Sequence, residues 1–579
     1  MNLMEALEIL KQPIAQGAPR LKVFLACGFT PLHLQTFLAA HLRKSWGSPR
    51  PEIHTGLFGD LAGNIERLDP STYDVLLVVI EWQDIDPRLG IRSLGGWSTT
   101  ELSDIAKSSE RALGRLHKGV RQAASSIPVM VSLPTLPLPP LFTNPTVQAN
   151  FDELRIRQSV AAFASLLSDE PSIKIVSAQK VDELSPHHGR FDVQSELMAG
   201  FPYKLTHASS MAESLAALVR VPAPKKGLIT DLDDTLWAGI VGEVGAANIS
   251  WHLDRHSHIH ALYQQFLQSL ASAGVLLAVA SKNDPAVVEQ ALMRNDLVVS
   301  KDVFYPIEAR WARKSESVER ILKVWNISQD SVVFVDDSAM EVAEVKTAFP
   351  GMECLAFPKA DPQALWQLLR HLRDVFGKPF VSEEDSIRLQ SIRGAEALRD
   401  TENLTPGSLD EFLESAHAVM RFDFEKKGSD QRAFELINKT NQFNLNGKRL
   451  TEAAWAAYLN DPATFLMTVS YEDKYGPLGK IAALLGKVSK STIRIDFWVM
   501  SCRAFSRRIE HQSLKKLFEK FRADEASFDY QATPRNGPIQ EFLSGLADLR
   551  GSSELRVARA VLEKRSPSLF HRVEEVVNG

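Results

Sequence analysis

Cysteine is scarce in this chain: Cys27, Cys354 and Cys502 are the only three in 579 residues, and they lie far apart. Thiols so spaced build no framework of bridges, which excludes a disulfide-stapled scaffold and makes a reducing cytoplasm the expected compartment. Long apolar runs are missing as well. None approaches the ~20 residues of a membrane helix, so no membrane partner is expected. The opening residues, MNLMEALEILKQ, carry two early glutamates on an amphipathic pattern and do not read as a signal peptide. Positive charge is not in excess either. A formal net charge of −5 argues against nucleic acid as the main partner. What remains is an ordinary globular composition, 44% apolar and 24% charged. The length calls for about three or four domains.

From Leu21 to about Arg220, short apolar runs alternate with helical patterns. The runs are LKVFLA, DVLLVVI, IPVMVSL and IKIVS, and between them lie stretches such as PLHLQTFLAAHLRK and FDELRIRQSVAAFASLL. This punctuation predicts a parallel sheet covered on both faces.

The richest stretch is GLITDLDDTLW, Gly227 to Trp237. A brief apolar run ends in Thr230 and three aspartates, Asp231, Asp233 and Asp234, with Thr235 following. Carboxylates at the carboxyl edge of a sheet stand where open α/β folds bind ligands. Packed so closely they repel one another unless a cation sits among them, and Mg²⁺ takes one or two carboxylates together with phosphate oxygens. Asp and Thr also cap helices, so the stretch alone leaves a capping cluster open. Three downstream segments weigh against that. VLLAVASKND is an apolar run ending in Ser281, with Pro285 placed to open a helix. Lys314 opens a helix with the stripe Val318, Ile321, Leu322 and Trp325. SVVFVDD ends in the pair Asp336–Asp337.

Nucleophile strand, serine strand end, lysine and acidic pair, in that order, resemble the motif set of haloacid-dehalogenase (HAD) phosphatases. DLDDTLWAGIVGEVG, SKND and FVDDS resemble in particular the FkbH-like branch, HAD subfamily IIIC. Those proteins are similar to enzymes that take a glyceryl unit from 1,3-bisphosphoglycerate, dephosphorylate it and load it on an acyl carrier protein of secondary metabolism.

The resemblance implies three α/β domains and a linker. Residues 1–222 are similar to an SGNH-hydrolase-like parallel sheet, and 223–378 to a capless Rossmann-like HAD core. A linker covers 379–408, and 409–579 is similar to a GNAT acyltransferase with a mixed sheet. In the first domain ACGFT, with no Ser, stands where such hydrolases carry their nucleophile. The late Asp182, His187 and His188 therefore have nothing to activate, and Cys27 reads as a core residue. The domain is expected to act as a docking module or lid.

In the core, the resemblance implies Asp231 as nucleophile and Asp233 as acid and base. Mg²⁺ is expected on Asp231, Asp233 (through its carbonyl), Asp336 and Asp337. Ser281 and Lys314 are expected on the phosphoryl oxygens, with Thr235 bracing the loop. Gly239, Gly242 and Gly245 suit a small hairpin flap. His252, His256, His258 and His260 form a second cluster, but no further ligand at metal spacing accompanies them. Two departures stand out. Ala280 replaces the Cys that FkbH-like proteins carry before the serine, so no thioester forms there. In the last domain Arg503 keeps the first position of the CoA pyrophosphate loop, while Ser506 and Arg508 replace small glycines. Arg503, Ser506 and Arg508 are the candidates for a phosphopantetheine arm. The expected partners are a small phosphorylated three-carbon substrate and an acyl carrier protein.

Overall fold

Runs of Val, Leu and Ile too short for helices build the two parallel sheets of this chain, each buried on both faces. The computed structural model describes residues 1–579 except 15–17, 46–48, 95, 143, 145–146, 220–222, 379–380, 382–384, 386, 391, 394–407, 427–429, 475, 502–503, 506, 548–554 and 577–579. The chain divides into two compact units, Met1–Pro222 and Ala223–Gly579. Most of the segment expected as a linker, 379–408, lies outside the described residues.

The first unit holds β1 (Arg20–Cys27), β2 (Arg50–Thr55), β3 (Val75–Val79), β4 (Val129–Ser132) and β5 (Ile173–Ile175). They run in the order β2-β1-β3-β4-β5, all parallel. Alternation along β3 sends Val75, Leu77 and Val79 to one face, where helices Leu32–Lys44 and Leu205–Val219 pack. Leu76 and Val78 face helices Leu102–Ala124 and Phe151–Ser168 on the other side. The sequence pattern omits β2. Its residues, RPEIHT, are polar and partly exposed because they form the sheet's edge.

The second unit begins with β6 (Gly227–Thr230), β7 (Leu276–Ser281), β8 (Phe304–Ala309), β9 (Val332–Asp336) and β10 (Glu353–Ala356). The order β10-β9-β6-β7-β8 is again wholly parallel. The chain winds outward from β6 to β8, then returns to place β9 on the other side of β6. That reversal opens a crevice at the carboxyl ends of β6 and β9. Gly227 lets helix Lys314–Trp325 close on the central strand, since a Cβ there would meet the Trp325 ring at 2.4 Å.

The rest of the unit is a mixed sheet. It comprises β11 (Val419–Asp423), β12 (Phe443–Asn444), β13 (Thr464–Asp473), β14 (Gly476–Ser489), β15 (Thr492–Met500), β16 (Glu525–Phe528), β17 (Leu555–Ala558) and β18 (Arg572–Glu575). The main path is β17-β16-β15-β14-β13-β11-β18, with β12 on β15. Two parallel sheets and one mixed sheet make this an α/β architecture, as the pattern of residues 21–220 and the resemblance of the rest lead one to expect.

Candidate functional site

Strand β6 stops at Thr230, and the next residue, Asp231, donates its main-chain N–H to the Val335 carbonyl of β9 at 3.0 Å. This bond draws the end of β6 against the end of β9, where Asp336 and Asp337 follow. Oxygens of Asp231, Asp336 and Asp337 all lie within 4.8 Å of one another, and the first two residues are buried. Among the described residues these three form the one carboxylate, His or Cys group close enough to hold a metal ion.

A buried cation already answers part of that charge. The side chain of Lys314, 2% exposed, reaches Asp231 at 2.5 Å, Asp336 at 2.9 Å and Glu341 at 3.2 Å. It also donates to the Ala280 carbonyl at 2.7 Å, which ties the cluster to the end of β7. Burial raises the pKa of Asp231, with Lys314 pulling the other way. Burial and the Asp231 charge push Asp336 up to about 7. Burial alone would depress Lys314, but the three carboxylates overcome it and hold the ammonium firmly charged. The half-buried Glu341 has a second cation in Lys282 at 2.7 Å, but the buried Asp231 and Asp336 share one lysine, which leaves excess negative charge, and the donor set is all oxygen. Both features fit Mg²⁺, a hard cation.

Asp233 is gripped from three sides. Its Oδ1 accepts from the Trp237 indole at 2.9 Å and from the Val241 N–H at 3.0 Å, and its Oδ2 accepts from the Asn283 amide at 2.9 Å. Asn283 also donates to the Ser281 hydroxyl at 3.0 Å. The structure thus brings Asp231, Asp336, Asp337 and Lys314 together and links Ser281 to Asp233 through one amide. Thr235 accepts from the Asp337 N–H at 3.1 Å, which braces the loop carrying that carboxylate.

Three further residues stand in the site without a role that the sequence pattern gives them. Asn283 lies within SKND, but nothing in the spacing says where its amide reaches. Lys359 bridges Asp234 at 2.8 Å and Asp337 at 2.9 Å from a distant loop. Glu341, one turn into helix Ala339–Ala348, adds a third carboxylate to Lys314. Placement of Lys359 is wholly tertiary, whereas Glu341 follows β9 directly and meets Lys314 from the next helix.

The glycine-rich stretch is not a regular hairpin. Single bridges, Asp233 to Trp237 and Ala238 to Ser250, flank the one-turn helix Val241–Val244, whose first N–H holds Asp233. The histidines disperse. His260 is buried on the Thr235 carbonyl at 2.9 Å, and His252 faces Asp296 at 3.3 Å.

In the first unit Cys27 is 3% exposed, and burial pushes its thiol up to about 12, which suits a core residue and no nucleophile. Asp182 pairs with Arg190, while His187 and His188 sit on an exposed turn. The buried imidazole of that unit is instead His207, held between Ser185 and Thr135 at 2.9 Å each.

Of the residues proposed for a pantetheine arm, Arg503 and Ser506 lie outside the described residues. Arg508 opens helix Ile509–Phe521 and directs its guanidinium to Asp410 and to the Ser568 carbonyl.

No family model matches the chain, and no curated protein matches it. Among solved structures it is similar to the N-terminal part of the protein BF1531 from Bacteroides fragilis, containing a phosphatase domain, complexed with Mg. That match has a TM-score of 0.51 and 18% identity, and covers 66% of this chain and 100% of the other. At such identity the likeness is one of fold. The salicylyl-acyltransferase SsfX3 from a tetracycline biosynthetic pathway also aligns, at 11% identity over 36% of this chain and 58% of its own. Its TM-score of 0.22 carries no structural argument.

Proposed function

We propose that the 223–378 region is a Mg²⁺-dependent phosphatase site of the HAD kind, acting, as in FkbH-like proteins, on a phosphorylated three-carbon unit destined for an acyl carrier protein. The observation that carries this reading is the convergence of Asp231, Asp336, Asp337 and Lys314 in one buried cluster at the carboxyl ends of β6 and β9.

Asp231 attacks phosphorus, forming an O–P bond as the bond to the leaving oxygen breaks, to give an aspartyl-phosphate. Lys314 occupies its Oδ1, so Oδ2 makes the attack. Asp233 protonates the leaving oxygen. Its Oδ1 already accepts two bonds, so the proton resides on Oδ2, beside the Asn283 amide. Water then attacks phosphorus, gives its proton to Asp233 Oδ2 and releases Asp231. Ser281 and Lys314 bind the phosphoryl oxygens and hold them in line. Asp231, Asp336 and Asp337, with the Asp233 carbonyl, would hold Mg²⁺, which would supply charge neutralisation to the phosphoryl group.

One observation favours a second reading, a phosphatase acting on another carrier-bound or polymeric phosphate. Ala280 has no thiol, is fully buried and has its carbonyl committed to Lys314, so no enzyme thioester forms beside Ser281. Mass spectrometry of an acyl carrier protein incubated with 1,3-bisphosphoglycerate and the full chain separates the two. Glyceryl loading adds mass to the carrier as phosphate is released. Phosphate release with an unchanged carrier mass supports the second reading, and no release rejects both.

A further inference from the structure

The first unit contains a cavity of about 340 Å³ beside the carboxyl ends of β3 and β4, in the size range of small-molecule sites. Trp82, Trp97, Leu138 and Phe191 supply apolar wall, and the polar residues facing it include Glu81 and Glu196. Glu196, on helix Val193–Ala199, is 1% exposed, and neither of its carboxylate oxygens has a hydrogen-bond partner. A buried acceptor left so is costly unless something donates to it.

Its neighbours do not supply that donor. Glu81, also 1% exposed, is taken up by the Thr135 and Leu136 N–H groups, the Thr135 hydroxyl and the Tyr203 hydroxyl. Asp84, half-buried, is a third acid within electrostatic reach of both glutamates. Arg92 is felt by Glu196, but its guanidinium donates to the Glu196 main-chain carbonyl at 2.7 Å and lies over the Phe58 ring. The three acids do not form a metal-ligand group among the described residues. The unpartnered Glu196 carboxyl therefore faces an apolar cavity rather than an ion-sized one.

We propose that this cavity binds an organic ammonium ion, a small apolar molecule carrying a protonated amine, with Glu196 as its carboxylate partner. The amine donates a charge-assisted hydrogen bond to Glu196, and the hydrocarbon body fills the wall of rings. Trp97 adds attraction for the cation through its π face, while Trp82, whose ring carries the Arg157 guanidinium, contributes apolar wall.

Calorimetric titration of the full chain with 2-phenylethylamine, against the neutral 2-phenylethanol, tests this. The amine binds at least about tenfold more tightly than the alcohol, as a charge-assisted bond in a desolvated site requires. Glu196→Gln brings the amine down to the level of the alcohol while the chain stays folded by circular dichroism. Val193→Trp, at the half-exposed rim, abolishes amine binding by filling the cavity. Equal affinity for amine and alcohol, no heat from the amine at millimolar concentration, or unchanged amine binding in Glu196→Gln each overturns the proposal. Should Glu196→Gln fail to fold, the amine-to-alcohol ratio of the natural chain decides.

Discussion

Two parallel five-stranded sheets in this chain end in buried carboxylates, and they handle the charge in opposite ways. Beyond β6 and β9, Asp231 and Asp336 share the Lys314 ammonium at 2.5 and 2.9 Å. Beyond β3, Glu81 and Asp84 have neutral donors, and burial raises them to about 7 and about 8. Burial raises the acids in both places, Asp336 to about 7 even beside the ammonium, so the difference lies in the partner and not in the direction of the shift. The same motif of apolar strand ending in carboxylates thus yields a centre built around a buried cation in one unit and one built on neutral donors in the other.

Removing the cation is the strongest way to break the contrast. Lys314→Met leaves Asp231, Asp336 and Glu341 without their shared partner, and it is expected to cost about 3–5 kcal/mol in denaturant unfolding. An unchanged midpoint would mean that the lysine does not hold the cluster together.

The first unit is expected to lose stability as pH rises. The folded pKa values of Glu81 and Asp84 are raised, so the folded state binds the extra protons at low pH and must release them towards pH 7 to 8. His207, lowered to about 3 by burial, works in the opposite sense only below its ordinary range near 6.5. Glu196 is raised by burial as well and His41 lowered, so three acids stand against two imidazoles and give a net loss on the order of 1 kcal/mol per pH unit between about pH 5 and 8. Hydrogen exchange of the β3 amides in the full chain, corrected for intrinsic rates, reads this directly. Glu81→Gln should flatten the slope, and protection that increases with pH would contradict the assignment.

The smallest expected change sharpens the charged side. Asn283→Leu removes the amide that links Asp233 to Ser281 and is expected to lower kcat about tenfold with KM little altered, as loss of an oriented acid–base group does. Full activity would show that the two remaining contacts, from Trp237 and Val241, suffice.

Much of this was legible in the chain itself. Strands β6, β7 and β9 end where their apolar runs stop, and helix Lys314–Trp325 opens on the lysine because its stripe of Val318, Ile321 and Trp325 begins one turn later. The DVLLVVIEWQD segment carries the same signal as GLITDLDD, an apolar run ending in acids, yet its Glu81 and Asp84 gave no motif to follow. Lys359 reaches the site from a remote loop, so no spacing could reveal it, and Glu341 lies just past FVDDS in the next helix with nothing in the pattern to aim it at Lys314. Edge strand β2 escaped because a polar, half-exposed strand lacks the hydrophobic alternation that marks its neighbours.

The central claim is that Asp231 sits in a metal-assisted phosphoryl-transfer centre. Phosphate release by the full chain from an acyl phosphate, with Mg²⁺ or with EDTA, and compared with Asp231→Asn, tests it most directly. The account predicts release that needs Mg²⁺ and falls at least about 10³-fold in the variant, which stays folded. Release that persists in Asp231→Asn, or is indifferent to EDTA, would contradict it.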